Sequence, residues 1–298
     1  MANPEPLPIE ENFLGLEPGN SSYSNSKIVI LTAPYERTVS YGEGTGGGPA
    51  AILRGSQYVE FWDEEFHREL CFEKGIVSLR PLSFENLNDE ASLALIERSV
   101  GEYLDDEKFV VTLGGEHTIS AAPIRAHLKK YPSMSVLQFD AHADLRDSYQ
   151  GSKLSHASVM ARVLDDIPGS RIVQCGIRAL CKEEVESMRT NGVHTHYAHA
   201  LHSTEQWEDL ILPNLADEVY ITFDVDYFDP AIMGSTGTPE PNGLFWAETI
   251  KLLKAIGKQR RIVGFDVVEL APREHAHGES YLVSKLVYKL LNIAFTGR

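Results

Sequence analysis

One recurrence limits the fold more than any other feature of the chain. Short runs rich in β-branched residues, most of them apolar on both alternating faces, are separated by longer amphipathic stretches. The runs are KIVILTA (27–33), GIVSL (75–79), KFVVTLG (108–114), MSVLQFD (134–140), SRIVQCG (170–176), GVHTHY (192–197), EVYITFD (218–224) and RIVGFDVVEL (261–270). A strand that is apolar on both faces needs cover on both sides. Stretches such as NDEASLALIERSVGEYL (88–104), TISAAPIRAHLKK (118–130), SHASVMARVLDD (155–166) and AETIKLLKAIGKQ (247–259) read as the helices that supply it. The alternation predicts an α/β fold, a three-layer α/β/α sandwich around a mainly parallel sheet of about eight strands.

No repeat, low-complexity tract or Pro/Gly/Ser linker breaks this pattern after about residue 26. The expected organisation is a loosely ordered N-terminal extension over 1–26 and a single α/β domain over 27–298. A formal net charge of −16 disfavours nucleic acid and anionic membrane surfaces and suits small cationic ligands. Cys71, Cys175 and Cys181 are too few and too scattered for a disulfide framework and fit a reducing cytoplasm. The first twenty residues lack a basic and apolar leader, and no apolar run approaches the roughly 20 residues needed to cross a bilayer. A soluble cytoplasmic protein is the expectation.

In open parallel sheets, ligands bind outside the carboxyl ends of the strands. Three runs end there in acids and histidines. VVTLGGEH delivers His117, VLQFDAHAD delivers Asp140, His142 and Asp144, and VYITFDVDYFD delivers Asp224, Asp226 and Asp229. Carboxylates gathered at one sheet edge repel one another unless cations neutralise them. If DAHAD continues the strand, Asp140, His142 and Asp144 face one side and Ala141 and Ala143 the other; the same spacing puts Asp224 and Asp226 on one face. This donor set is too large for one tetrahedral zinc. It suits a pair of ions sharing bridging carboxylates, and its oxygen-rich character favours manganese. Two ions roughly 3.5–4 Å apart can activate a water between them and clamp a displacement.

The motifs GGEH (114–117), DAHAD (140–144) and FDVDYFDPAIMGSTGTP (223–239) stand in an order that resembles the ureohydrolase family of arginases and agmatinases, and agmatinases most of all. The likeness runs from about residue 27 to near the end of the chain. It implies two manganese ions per subunit, one held by His117, Asp140, Asp144 and Asp224, the other by His142, Asp140, Asp224 and Asp226. It also implies hydrolysis of a guanidinium group to urea and an amine, and assembly as a homo-oligomer, trimer or hexamer. Asp144, a ligand of one ion only, is placed to orient the attacking water. His156, in KLSHASVM, matches the family's proton shuttle, and His suits that task near neutral pH. Glu269, in GFDVVELAP, matches a substrate-binding carboxylate able to pair with a guanidinium.

Arginases carry an Asn two residues after DAHxD and a Gly-Asn before the shuttle His, which hold the amino-acid end of arginine. Here Arg146 and GSKLSH stand instead. That departure favours agmatine, cleaved to putrescine and urea, or aminopropylagmatine. Arg146, as a cation beside the site, leaves 4-guanidinobutyrate and arginine open. Gly234 and Asn242 also depart from the family's usual residues in the loop after the third motif. A zinc deacetylase-like hydrolase and a non-catalytic binding paralogue are the alternatives outside this class. GEGTGGGP (42–49) lacks the Lys-Ser/Thr of a phosphate loop and reads as a rim of the site, with Pro49 opening a helix. His194, His196, His199 and His202 read as incidental, and Cys175 as a core residue.

Overall fold

A computed structural model describes residues 5–296; the first four residues of the expected extension and the last two of the expected domain lie outside the described residues. One eight-stranded sheet runs through its centre: β1 (Ile28–Ala33), β2 (Ile76–Ser78), β3 (Phe109–Gly114), β4 (Ser135–Phe139), β5 (Ile172–Ile177), β6 (His194–Tyr197), β7 (Glu218–Asp224) and β8 (Arg261–Val268). The spatial order is β2-β1-β3-β8-β7-β4-β5-β6, and every neighbouring pair is parallel. β1, β4 and β5 are buried along their whole length, the reason their sequences show no polar alternation.

The longer helices are α1 (Gly48–Ser56), α2 (Asp89–Asp105), α3 (Ala121–Lys130), α4 (Lys182–Asn191), α5 (Trp246–Gln259) and α6 (His277–Ala294). The period of two along each strand divides its side chains between the helical layers. Leu137 and Phe139 of β4 and Ile221 and Phe223 of β7 pack with α1, α5 and α6. Val136 and Tyr220, one position out of step, pack with Ile124 of α3 and with the short helix Val159–Leu164. Burying each such side chain contributes about 1.5–3 kcal/mol, so a one-residue slip, which exchanges the faces, is strongly disfavoured. Sequence-local signals set the helix ends. The Asn88 side chain accepts from the Ala91 amide at the start of α2, and Gly192, at φ 72°, closes α4.

The N-terminal segment departs from the expectation of loose order. Over residues 5–26 it packs on the domain: Phe13, Leu14 and Leu16 are buried in the same core as β1 and α1. The Leu7 amide bonds the Ser78 carbonyl at 2.8 Å, and the Phe13 amide bonds the Ser78 hydroxyl at 2.9 Å. The apolar triplet in NFLGL drives this docking; it is too short to register as an element in the sequence. The glycine-rich loop is filled from within, because the Glu36 carboxylate accepts the amides of Gly44 and Gly46 at 2.6 and 2.7 Å. That carboxylate occupies the amides a phosphate would need, and α1 follows with Pro49 in its first turn. No helix among the described residues is long and apolar enough to cross a membrane.

Candidate active site

β3, β8, β7 and β4 are adjacent in the sheet, so their carboxyl ends bring four distant stretches of sequence to one edge. After β3 the chain turns tightly at Gly115, where a Cβ would lie 2.1 Å from the Tyr35 carbonyl oxygen. Only glycine fits there, and His117 follows at the head of a 3-10 turn, His117–Ser120. Asp140 comes directly after β4, and Asp224 is the last residue of β7. Beyond these points the expected extended geometry does not hold. Asp144 sits at φ 54°, and Asp226 lies in the turn Val225–Tyr227. The carboxylates themselves bend the chain: Asp140 accepts the His142 amide at 2.6 Å, Asp224 accepts the Asp226 amide at 2.9 Å, and Asp226 accepts the Ala141 amide at 3.0 Å.

These turns bring all six expected ligands together in two linked groups. His117 Nδ1 lies 3.1 Å from Asp140 Oδ2, 3.1 Å from Asp144 Oδ2 and 3.3 Å from Asp224 Oδ2. His142 Nδ1 lies 2.8 Å from Asp226 Oδ2 and 3.7 Å from Asp140 Oδ1. Asp140 thus turns one oxygen to each group. The other nitrogen of His117, Nε2, is 2.9 Å from the Thr222 hydroxyl, which donates to Asp266 at 2.8 Å. A hydroxyl that has given its proton to a carboxylate can only accept, so Nε2 carries a proton, and once Nδ1 gives up its own its lone pair points among the same three carboxylate oxygens. That buried nitrogen has no well-formed hydrogen bond. Lone pairs converging in this way fit a cation between them, and the shared Asp140 fits a second one beside it.

Titration behaviour agrees. Burial, then the neighbouring Asp140, pushes Asp144 up to about 7. Burial, then Asp226 and Asp140, raises Asp224 well above the carboxylate range. Burial disfavours charge on His117 and His142, but the carboxylates around each outweigh it and raise both. Asp140 is the counter-case: burial disfavours its charge, yet contacts with the two histidines hold it low. With chelated protein, the raised groups bind more protons folded than unfolded. For Asp144 the stabilisation is present below the unfolded carboxylate value of about 4 and is lost as pH rises to about 7. Thermal unfolding in EDTA is expected to show Tm falling between about pH 4 and pH 7, and added divalent metal to remove the fall. A Tm in EDTA that holds steady or rises over that window would contradict this balance.

The clusters form the floor of a pocket of about 300 Å³. His156 and Glu269 are both in its wall. Burial pushes His156 below its ordinary value. Glu269, at φ 65°, accepts the His117 amide on Oε1 at 2.6 Å, and burial raises it well above the usual range. A guanidinium beside it would reverse that shift. Arg146 also lines the pocket; its guanidinium lies over the Tyr149 ring at 5.3 Å, with Nε 4.0 Å from Glu184. Asn242 takes φ 64°, a conformation Asn tolerates.

Several site residues escaped the sequence reading. Asp266 is a charge within a run otherwise apolar on both faces, and that is the signal the sequence carries for it. Glu184 is buried and accepts the amides of Leu145 and Cys181 at 2.9 and 2.7 Å, holding the chain around Arg146. Thr222 gave no signal, because a threonine in a strand is ordinary.

The profile of the arginase family matches residues 26–292. The chain belongs to the arginase family. It is 34% identical over 277 residues to an N(1)-aminopropylagmatine ureohydrolase of Synechocystis sp., covering 91% of this chain and 90% of that protein. It is 36% identical over 277 residues to an agmatinase of Bacillus cereus, covering 91% and 92%. The solved agmatine ureohydrolase of Thermoplasma volcanium superposes with a TM-score of 0.84 at 29% identity, covering 92% of each chain. Arginase-family enzymes carry binuclear metal centres, and the two His/Asp groups are the matching feature here. The match sets aside the zinc deacetylase-like alternative.

Proposed function

We propose that this arginase-family enzyme hydrolyses the guanidinium of a linear guanidino amine, agmatine foremost, to urea and putrescine. The observation that carries the proposal is the split His/Asp centre in one pocket with the buried carboxylate of Glu269. The relatives named agmatinase and aminopropylagmatine ureohydrolase support it. In this reading His117, Asp140, Asp144 and Asp224 hold one manganese, and His142, Asp140, Asp224 and Asp226 the other. A bound ion pair supplies the Lewis acidity that makes water a usable nucleophile near neutral pH.

The chain's own residues do the rest. Glu269 pairs with the guanidinium and sets it over the floor, and the burial of its carboxylate strengthens that pairing. Asp144 accepts a hydrogen bond from the attacking water and turns its lone pair to the guanidinium carbon. His156 takes up a proton released by the attacking water and passes it to the departing nitrogen as the carbon–nitrogen bond breaks. The amine leaves as an ammonium and urea keeps the carbon. Aminopropylagmatine is the second reading, favoured by the relatives that bear its name. The proposal extends to a cytoplasmic homo-oligomer, trimer or hexamer.

Urea release from agmatine with manganese tests the activity. The His156→Ala variant tests the assignment within it. It is expected to keep its metal and its fold while losing at least about tenfold in turnover, the low side of what a positioned acid–base group contributes. Loss of metal, or full activity, would show that His156 has another role.

A further inference from the structure

Glu116 is fully buried beside the site, yet it is neither a member of the metal-ligand groups nor part of the pocket wall. Its partners are all donors. Oε2 accepts the backbone amides of Arg37 and Thr38 at 2.8 and 2.7 Å, and Oε1 accepts the hydroxyls of Thr38 and Thr118, both at 2.7 Å. Glu116 thus grips the loop that enters the pocket rim at Val39, Ser40 and Tyr41.

The Thr38 hydroxyl links this carboxylate to His156. Its oxygen lies 3.1 Å from the backbone amide of His156 and 3.2 Å from its Nδ1. A hydroxyl has one proton and two acceptor lone pairs. The proton goes to Glu116, because a carboxylate only accepts. One lone pair takes the His156 amide. The other can meet Nδ1 only if Nδ1 brings a proton of its own. Nε2, which lies 3.4 Å from the Ser40 hydroxyl on the pocket side, is then left as the nitrogen free to exchange. This is the device seen at His117, where Thr222 and Asp266 settle which nitrogen is protonated.

We propose that Glu116 and Thr38 are positioning residues that fix the tautomer and ring orientation of His156, directing Nδ1–H to Thr38 and presenting Nε2 to the substrate. The inference rests on the reading of His156 as the proton shuttle. Its energetic basis is preorganisation: a free imidazole divides between two tautomers and several ring orientations, whereas the chain selects one before substrate arrives. Neither residue contacts the reacting atoms in this scheme, so the cost of losing them falls on turnover and leaves substrate binding in place.

The test uses the manganese-loaded enzyme with Thr38→Val, which keeps the side-chain shape without the hydroxyl, and Thr38→Ser, which restores the hydroxyl. Thr38→Val is expected to lower kcat at least about tenfold with KM within about twofold of wild type and metal content unchanged, and Thr38→Ser to recover most of the loss. Glu116→Gln should lower kcat in the same direction. Crystals of Thr38→Val supply a readout that needs no turnover: the His156 ring should leave its single orientation. The proposal is overturned by wild-type kcat in Thr38→Val or Glu116→Gln, by Thr38→Ser being as slow as Thr38→Val, or by an unmoved His156 ring. An enzyme that releases urea from no guanidino compound would defeat the functional reading instead, and the ring orientation would still decide this one.

Discussion

Asp140→Asn is expected to empty the metal centre. Asp140 is shared by both ligand groups and turns a separate oxygen to each histidine, Oδ2 to His117 and Oδ1 to His142. Asparagine keeps the volume, so the fully buried site stays packed. It removes the charge and places N–H donors where an ion needs lone pairs. Wild type is expected to hold about two ions per chain, Asp226→Asn about one and Asp140→Asn well below one. Activity of Asp140→Asn should fall by more than about a hundredfold, the upper end of what losing a mere outer partner of a ligand costs. Asp224→Asn should lie between the two, because Asp224 Oδ2 faces His117 while Oδ1 is engaged by the Asp226 amide. Elemental analysis of the three variants checks the order, and equal metal content in all of them would contradict it.

Selectivity against arginine is the second large effect. Agmatine presents a guanidinium at one end and an ammonium at the other. Arginine adds a carboxylate, which in a desolvated pocket needs a partner. Arg146 is the only Lys or Arg lining the pocket among the described residues, and it is stacked on Tyr149 and directed toward buried Glu184. Glu240 adds a further acid to the wall. An unmatched buried charge costs several kcal/mol, so agmatine or its aminopropyl derivative should exceed arginine by at least about a hundredfold in kcat/KM. If arginine or 4-guanidinobutyrate is cleaved as well as agmatine, Arg146 has turned to receive the carboxylate, and Arg146→Ala would then abolish that activity selectively.

The sheet and its ligand-bearing edge were legible because both rest on local pattern. Runs apolar on both faces report burial on both sides, and acids at their carboxyl ends stand out against that background. The placement of β8 between β3 and β7 was not legible, since strand order depends on packing across the whole chain. It is this order that brings Glu269 to the His117 amide. The turns at Asp144 and Asp226 were misread as extended because period two was carried past the strand ends, where carboxylate-to-amide bonds take over from the sheet. Asp266 and Glu116 were legible as charges in apolar or glycine-rich surroundings. Their purpose was not, because it depends on threonines that come near only in the folded chain.

Cleavage of a guanidinium into urea and an amine is the reaction proposed for this pocket. The most direct measurement incubates the manganese-loaded protein with agmatine and quantifies both products in the same sample. Urea and putrescine are expected in equal amounts, formed by wild type and lost in step with metal in Asp140→Asn. Ammonia in place of urea, or no urea from agmatine or aminopropylagmatine at full metal occupancy, would contradict it.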